Sequence, residues 1–419
     1  YEGLDARLKS GNHNPDVGSK EFRPKTGATA SSARDFLIAV NFNLNTTSSR
    51  RANAIAFDVR EAGRSKRIGN PITGKLAKNE AGETIRVPGA CKGTKGIGWY
   101  IEEFGIAQVS MNITDIKATP LHIAFEETNK SAVSRGLRVT GIEIVGLIPL
   151  SVMIDAGQYF LKKQERSLGV SDEECIKIAI KSMGLDDLKP FDPQKNIIEY
   201  MIKEAGSTPL LDKNLKEFAD ETASESIAPG GGSISAYVGV LGASLGAMVA
   251  NLSAHKRGWD ERWEEFSDWA ITGQKIQKEL LFLVDEDTRA FNRIIAAVRM
   301  PKGTPQEIAL RKQAMNEATK YAAQVPFQVM QTSFEMFELL EAMVKNGNPN
   351  SVTDAAVGAL CANTAIKGAF LNVKVNLVGF EDKEFVKDIS AKSKALLDKS
   401  HAYEQKILKI TEEIIEKMN

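Results

Sequence analysis

The pattern of apolar and polar positions along the chain changes character near residue 205. Before that point, short apolar runs alternate with stretches of helical periodicity. The pattern predicts strands over 36–43, 96–104, 106–114 and 139–145, and helices over 46–62, 119–135, 149–164 and 172–183. The order strand, helix, strand, strand, helix, strand is that of the split β-α-β unit. We therefore predict an α/β ferredoxin-like sandwich for this half.

After a plausible linker at 205–209, the strand signals nearly vanish. Long helical patterns follow, and Gly- and Pro-rich breaks separate several of them. These patterns cover 211–225, 231–254, 261–298, 305–344, 351–378 and 382–418. The second half is therefore predicted to be an all-α helical bundle with short connections. Pro326 lies inside the fourth helix and is expected to kink or split it.

One helical stretch requires a membrane check, because residues 234–252 carry no charge and approach the length that spans a bilayer. The stretch is crowded with Gly, Ala and Ser, and its small residues recur at spacings of three and four on one helical face. Such a face lets a neighbouring helix approach closely. We favour a buried helix of the bundle over a membrane span.

Charge is balanced, with 54 basic and 54 acidic residues, so no nucleic acid or anionic membrane is favoured as a partner. Cysteines and histidines are few and scattered: Cys91, Cys175, Cys361, His13, His122, His255 and His401. This distribution favours a reducing, cytoplasmic compartment and lacks the spacing of a zinc site, so we expect no metal. The chain begins with Tyr1 and lacks a signal-peptide pattern, which suggests that the natural N-terminus lies upstream.

Residues 60–95 form a turn-rich insertion with nine Lys or Arg against three Glu. The favoured interpretation is a solvated loop or hairpin, because charge runs are usually solvated. The alternative is an electropositive rim for a polyanionic substrate tail.

Three polar clusters in the helical half could carry chemistry. Residues 229–233 (PGGGS) precede a helix, and their glycines allow φ > 0, close backbone approach and amide binding of an anion; a tight structural turn is the alternative. Residues 285–289 (DEDTR) lie among apolar turns and form either a solvated, ion-paired face or a half-buried acid site. Asn372 and Asn376 share a helical face, for a core network or for recognition of a flat polar ring.

Together these segments resemble the formiminotransferase-cyclodeaminase family. In the helical half the resemblance is carried by 226–233 (SIAPGGGS), 283–291 (LVDEDTRAF), 301–305 (PKGTP) and 370–377 (FLNVKVNL). In the first half it is carried by 27–29, 33–39, 96–100, 107–110, 186–193 and 197–200.

The resemblance implies a multidomain architecture. Residues 1–36 would be the tail of a first, incomplete formiminotransferase subdomain, 37–205 the second subdomain, 206–211 a linker and 212–419 the cyclodeaminase domain. The family implies a homo-oligomer with dimeric cyclodeaminase domains.

The resemblance also implies the reaction, which converts 5-formimino-tetrahydrofolate to 5,10-methenyl-tetrahydrofolate plus ammonia in histidine degradation. Asp287 matches the family's catalytic acid/base, Asn372 and Asn376 suit the pterin, and the amides of Gly230, Gly231, Gly232 and Ser233 suit a carboxylate. A folate-contacting loop of the first subdomain would correspond to Gly18, Lys20, Phe22, Pro24 and Gly27.

Tetrahydrofolate is the expected carrier, and N-formimino-glutamate is the formimino donor of the parent protein. None of the four histidines matches the family's catalytic transferase histidine, so transferase activity is expected of the parent rather than of this chain. The alternatives are a methenyl-tetrahydrofolate cyclohydrolase, in which water replaces ammonia, and a non-catalytic folate-binding protein.

Overall fold

The computed structural model describes residues 3–11, 14–29, 31–69, 73–202 and 208–418. The strands are β1 Ile38–Leu44, β2 Arg64–Ser65, β3 Arg67–Ile68, β4 Lys75–Leu76, β5 Arg86–Val87, β6 Thr94–Ile101, β7 Ile106–Ile113 and β8 Val139–Ile144. The helices of the first half are α1 Leu4–Lys9, α2 Ser49–Val59, α3 Leu121–Val133, α4 Leu150–Lys163, α5 Asp172–Met183, α6 Pro193–Asn196 and α7 Ile198–Met201. Those of the second half are α8 Leu215–Thr222, α9 Gly231–Ala254, α10 Trp263–Val298, α11 Pro305–Asn346, α12 Val352–Asn376 and α13 Lys383–Met418.

The first half contains a four-stranded antiparallel sheet in the order β6-β7-β1-β8. This order, with α2 and α3 inserted in the chain between strands, is the ferredoxin-like topology that the sequence pattern predicts. Alternate residues of β1, such as Val40 and Phe42, are buried in one hydrophobic core with residues of α2 to α5. The fold-class prediction is confirmed for this half.

Two glycines allow the tight turn between β6 and β7 and the close packing of α2 on β6. Gly105, at φ 63°, forms the tight connection between β6 and β7. A Cβ at Gly98 would lie 2.1 Å from the backbone nitrogen of Asn53, so α2 approaches β6 more closely than any side chain would allow. Asn53 locks that approach, since its amide donates to the Gly98 carbonyl at 2.8 Å and accepts from the Gly98 amide at 3.1 Å.

The basic insertion forms two small antiparallel pairs, β2 with β5 and β3 with β4. The insertion is therefore a small β structure beside α2. The sequence-based interpretation, a solvated loop or a hairpin, did not specify this form. Residues 70–72 of the insertion lie outside the described residues.

In the second half α9 runs along α10, α11 and α12 at close range. Hypothetical Cβ atoms at Gly246 and Gly273 would lie 2.8 Å from Leu339 and Ala247 side-chain atoms, so small residues set the helix spacing. Helices α9 and α12 are long and apolar enough to cross a membrane by length and composition, and 61% of the apolar window of α9 is buried inside the bundle. The predicted buried bundle helix is confirmed in its bounds, 231–254.

Two sequence-based expectations need correction. Pro326 does not split its helix, because α11 continues from Pro305 to Asn346 with Pro326 buried among its neighbours, and the alternative of a kink at Pro326 stays a prediction. The helix predicted over 211–225 begins only at Leu215, where Asn214 and Glu217 form a capping box. The linker predicted at 206–211 lies partly outside the described residues, and the proposed domain boundaries remain predictions.

The two halves touch through the segment between α4 and α5. The Leu168 amide donates to Ser267 Oγ at 2.9 Å, and Asn251 Nδ2 donates to the Gly169 carbonyl at 2.8 Å. A Cβ at Gly169 would lie 2.3 Å from the Ala270 Cβ. The sheet-containing half therefore lies directly against α9 and α10.

Candidate active site

Asp287 of α10 faces the first turn of α9. Its Oδ2 accepts the Ser233 backbone amide at 3.0 Å and the Ser233 hydroxyl at 3.2 Å. A Cβ at Gly232 would lie 2.2 Å from Asp287 Oδ1. The glycine at this position therefore makes room for the carboxylate. None of Gly230, Gly231 and Gly232 has φ > 0, so close approach rather than left-handed backbone is what these glycines provide.

This contact corrects one detail of the sequence-based interpretation. The Ser233 amide was expected to bind a substrate carboxylate, but the protein's own Asp287 carboxylate occupies it. The free amides of a helix N-terminus attract the nearest anion, and here α10 supplies one.

The environment of Asp287 favours the protonated acid. Burial raises the pKa of the Asp287 carboxyl above its ordinary value, while the hydroxyl and amide of Ser233 oppose that shift only in part. A raised pKa makes a carboxylate a better proton acceptor, and the acid so formed can return the proton. Asp287 is thus a candidate acid/base group.

A cavity of about 180 Å³ lies beside this carboxylate. It is lined by the turn before α9, by one side of α10, and by residues of α11 and α12. Gly230, Gly231, Gly232, Asp287, Asn372 and Asn376 all border it. Residues from three separate sequence clusters therefore meet at one place. The volume is below the ~300 Å³ of common ligand pockets, so it suits one end of a ligand rather than a whole folate.

The side-chain nitrogens of the two asparagines of α12 are hydrogen-bonded to backbone carbonyls, whereas their side-chain oxygens have no donor among the described residues. Asn372 Nδ2 donates to the Gly368 carbonyl at 2.9 Å, and Asn376 Nδ2 donates to the Ala322 carbonyl at 2.7 Å. Neither Oδ1 accepts a hydrogen bond from any residue that the structure describes. With the amides anchored, the site offers acceptors for the donors of a polar ring.

The three consecutive acids of α10 have three different environments, because successive helical residues are about 100° apart. Asp285 is 1% exposed, and its Oδ1 accepts the Leu210 amide at 3.1 Å. Glu286 accepts the Tyr321 hydroxyl at 2.5 Å and ion-pairs with Arg289 and Arg293. Only Asp287 borders the cavity. The ion-paired alternative therefore describes Glu286 and not Asp287.

Sequence reasoning did not single out several residues of this cavity. Phe291 follows Asp287 by one helical turn and lines the cavity. Thr288 also lines it, and its buried hydroxyl has no hydrogen-bond partner among the described residues. For Phe291 the available signal was its position four residues from Asp287, because an i, i+4 pair shares a helical face. Thr288 belongs to the 285–289 cluster of the sequence analysis, which gave it no role of its own.

The predicted folate-contacting loop of the first half lies elsewhere. Its residues Gly18, Lys20, Phe22, Pro24 and Gly27 are exposed and belong to a segment of turns and bends. Their role stays a prediction. The described part of the chain contains no group of three or more His, Cys, Asp or Glu side chains that could hold a metal ion, and the expected absence of a metal likewise stays a prediction.

Comparison with known proteins assigns the two halves separately. The family model of the formiminotransferase domain matches residues 39–203, and that of formiminotransferase-cyclodeaminase matches residues 214–395. A formimidoyltransferase-cyclodeaminase from Rattus norvegicus is 35% identical over 401 residues, which are 96% of this chain and 70% of the relative. A methenyltetrahydrofolate cyclohydrolase from Methylorubrum extorquens is 31% identical over 195 residues, which are 46% of this chain and 94% of the relative.

A crystal structure of formiminotetrahydrofolate cyclodeaminase from Thermotoga maritima aligns with a TM-score of 0.44 and 25% identity, over 49% of this chain and 99% of that one. The two matched regions and the similarity over 96% of this chain define the class of protein, a two-part folate enzyme. The chain belongs to the formiminotransferase-cyclodeaminase family, which acts in folate-dependent histidine degradation. The resemblance inferred from the motifs is confirmed.

Proposed function

We propose that the helical half catalyses cyclodeamination, in which 5-formimino-tetrahydrofolate becomes 5,10-methenyl-tetrahydrofolate plus ammonia. The observation that carries this proposal is a single carboxylic acid, Asp287, with a raised pKa at the wall of a polar cavity, in a chain of this family. Cyclodeamination needs one group that takes a proton and gives it back, and the cavity offers that group.

The proposed steps conserve the proton. Folate N10 attacks the carbon of the protonated formimino group, and Asp287 accepts the N10 proton. The bond between that carbon and the resulting NH2 group then breaks while Asp287 returns the proton to this nitrogen, which departs as ammonia and leaves the positive charge on the methenyl product. Ser233 holds one carboxylate oxygen in place throughout, so the acid keeps one orientation for both transfers.

In this proposal Asn372 and Asn376 receive donors from the edge of the pterin ring, because their Oδ1 atoms are the acceptors left open at the cavity. Tetrahydrofolate is the carrier, and the rest of the folate extends out of the cavity past Phe291.

The test follows absorbance of the methenyl product after the purified chain is mixed with 5-formimino-tetrahydrofolate. Asp287→Asn should lower turnover by roughly 10²–10⁴, the usual contribution of general acid–base catalysis. Asp268→Asn is the matched control, since Asp268 is an exposed aspartate on the same helix. A near-full rate in Asp287→Asn would remove this residue from the mechanism.

A cyclohydrolase is the second candidate function, favoured by the similarity to the Methylorubrum extorquens protein over nearly its whole length. Water would then open the methenyl ring, and the same acid could move its proton. Hydrolysis of 5,10-methenyl-tetrahydrofolate faster than deamination of the formimino compound would make it the preferred function. Folate binding without either turnover would instead favour a non-catalytic folate-binding protein.

For the sheet-containing half we propose a part in the transfer of formimino from N-formimino-glutamate to tetrahydrofolate, as the match to the formiminotransferase domain suggests. None of the four histidines matches the family's transferase histidine, so the purified chain is expected to show no transferase turnover.

We also propose a homo-oligomer that forms through the helical half. Helices α9 and α12 meet closely at Gly242 and Gly358, where a Cβ at Gly242 would lie 3.0 Å from the Gly358 carbonyl oxygen. Both helices leave large apolar side chains exposed: Leu241, Met248 and Leu252 on α9, and Val357, Leu360 and Leu371 on α12. Exposed apolar residues on adjoining helices are typical of a subunit interface.

A cytoplasmic location remains an expectation, consistent with three free cysteines.

A further inference from the structure

A second cavity lies far along the chain from Asp287, between α2 and the basic insertion. Its volume is about 350 Å³. Three arginines, two small polar residues and two apolar residues line it: Arg50, Arg64, Arg67, Asn53, Ser65, Ala54 and Phe57. No carboxylate is among these residues.

One of the three arginines is fixed by the fold. Arg64 ion-pairs with Asp58 and donates to the Ala54 carbonyl at 2.7 Å. Asp58 is itself shared, because it also pairs with Arg135 and accepts from Ser131. The Arg64 Nε is buried without a hydrogen-bond partner among the described residues. This guanidinium is therefore held in place at the cavity, and the one carboxylate of Asp58 faces two cations, Arg64 and Arg135.

The other two arginines are available to a ligand. Arg50 and Arg67 are exposed, and neither forms an ion pair with any residue in the described part of the chain. The Arg67 guanidinium donates to the Gly74 carbonyl at 2.7 Å. The surroundings add positive charge, since Arg60 stacks on the Phe57 ring at 4.3 Å and Arg86 lies near enough to lower the pKa of Arg60, after the larger effect of burial.

The wall opposite these cations is rigid. Asn53 is held by two hydrogen bonds to Gly98 of β6, and Phe57 is covered by Arg60. A fixed wall beside two exposed guanidinium groups that have no ion pair among the described residues is an arrangement that binds phosphate or clustered carboxylates, because each guanidinium offers a planar fork of donors to two oxygens. Without such an anion the like charges repel one another.

We propose that this cavity, named here the arginine cavity, is a binding site for a multiply charged anion, either a phosphate compound or a compound with clustered carboxylates. Arg50 and Arg67 close on the anion from the solvent side, and Arg64 meets it from the wall. The site requires no part of the cyclodeaminase chemistry, so its test is independent of that proposal.

Isothermal titration calorimetry at low salt tests the site with three probes: tripolyphosphate, tricarballylate and acetate. Binding of tripolyphosphate alone assigns a phosphate ligand, and binding of tricarballylate alone assigns clustered carboxylates. Binding of both supports the shared chemistry. Acetate should bind neither tightly nor with a strong salt dependence, because it can engage only one fork.

The variant Arg50→Gln/Arg67→Gln should weaken polyanion binding by about tenfold or more, since it removes two charge-assisted contacts. The matched control is Arg257→Gln/Arg299→Gln, which removes the same charge from two exposed arginines of the helical half. Arg50→Lys/Arg67→Lys keeps the charge and removes the forks, and it should recover only part of the affinity. Absence of polyanion binding, or an equal loss in the control variant, overturns the proposal. Thermal unfolding of each variant verifies that the fold is retained.

Discussion

Both halves of the chain bury polar side chains, but they use them differently. In the sheet, Gln108 donates to Asn43 at 2.8 Å, and Asn43 donates to Asp187 at 3.3 Å, while Gln108 Oε1 has no hydrogen-bond partner among the described residues. In the helical bundle, Ser233 holds one oxygen of Asp287, and the rest of the carboxyl borders a cavity. A polar group whose partners are all protein groups stabilises a fold, whereas one that keeps a side open to a cavity can act on a ligand.

The strongest test of this contrast is a variant that places a methyl group against the Asp287 carboxyl. Gly232→Ala places a methyl group where Asp287 Oδ1 now lies, at 2.2 Å, so the acid must move. We expect deaminase turnover to fall by about 10² or more, because misplacing a catalytic group by roughly 1 Å has that effect. The measurement is methenyl-folate formation.

Gly96→Ala in β6 is the comparison for this change, since its new Cβ would meet the Ser110 carbonyl only at 3.4 Å. It should leave deaminase turnover near that of the unmodified chain. If Gly232→Ala also kept full turnover, the position of Asp287 would not matter to the reaction.

A smaller effect is expected at Asn372, one of the two proposed pterin acceptors. Asn372→Ala removes one side-chain carbonyl oxygen that is open at the cavity. The hydrogen bond that it breaks within the protein is the one to the Gly368 carbonyl of the same helix. KM should rise up to about tenfold with little change in kcat, the magnitude of one hydrogen bond to a ligand. Asn350→Ala, at an exposed position just before α12, is the control. A fall in kcat at constant KM would assign Asn372 to the chemical step instead.

The hydrogen-bonded chain of the sheet should respond in stability and not in activity. Gln108→Leu leaves the buried Asn43 Oδ1 without its donor, at a cost of about 1–3 kcal/mol in the free energy of unfolding, and removal of the unpartnered Gln108 Oε1 offsets part of that cost. Denaturant unfolding measures this change, and deaminase turnover of the folded variant should be unaltered. Lost turnover in a fully folded variant would mean that the two halves are functionally coupled.

The smallest effect is a pH dependence of stability at Asp287. Because burial raises its folded-state pKa, the native state binds the proton more tightly than the unfolded state does, and stability falls as pH rises above the ordinary aspartate value of about 4. Asp287→Asn should therefore be at least as stable as the unmodified chain at neutral pH. Its advantage should shrink as pH is lowered toward about 4. Denaturant midpoints at several pH values measure this, and an advantage that grows on acidification would contradict the raised pKa.

Much of the fold follows from the sequence, because its signals are local. The helix over 231–254 and the helix over 172–183 have the predicted bounds, since Gly230 and Ser171 mark where they begin. The β-α-β-β-α-β order follows from periodicity and from the turn at Gly105. The family motifs also identify Asp287 among three adjacent acids, which periodicity alone does not do.

Only the tertiary structure decided how distant residues meet. It placed Ser233 on Asp287, 54 residues away, and the Leu210 amide on Asp285, 75 residues away. It also carried α11 through Pro326 and brought three arginines to one cavity beside α2. Helix boundaries depend on a few neighbouring residues, and the chain encodes them locally. Contacts between elements depend on how each helix is rotated and on how closely glycines let helices approach, which packing of the whole domain determines.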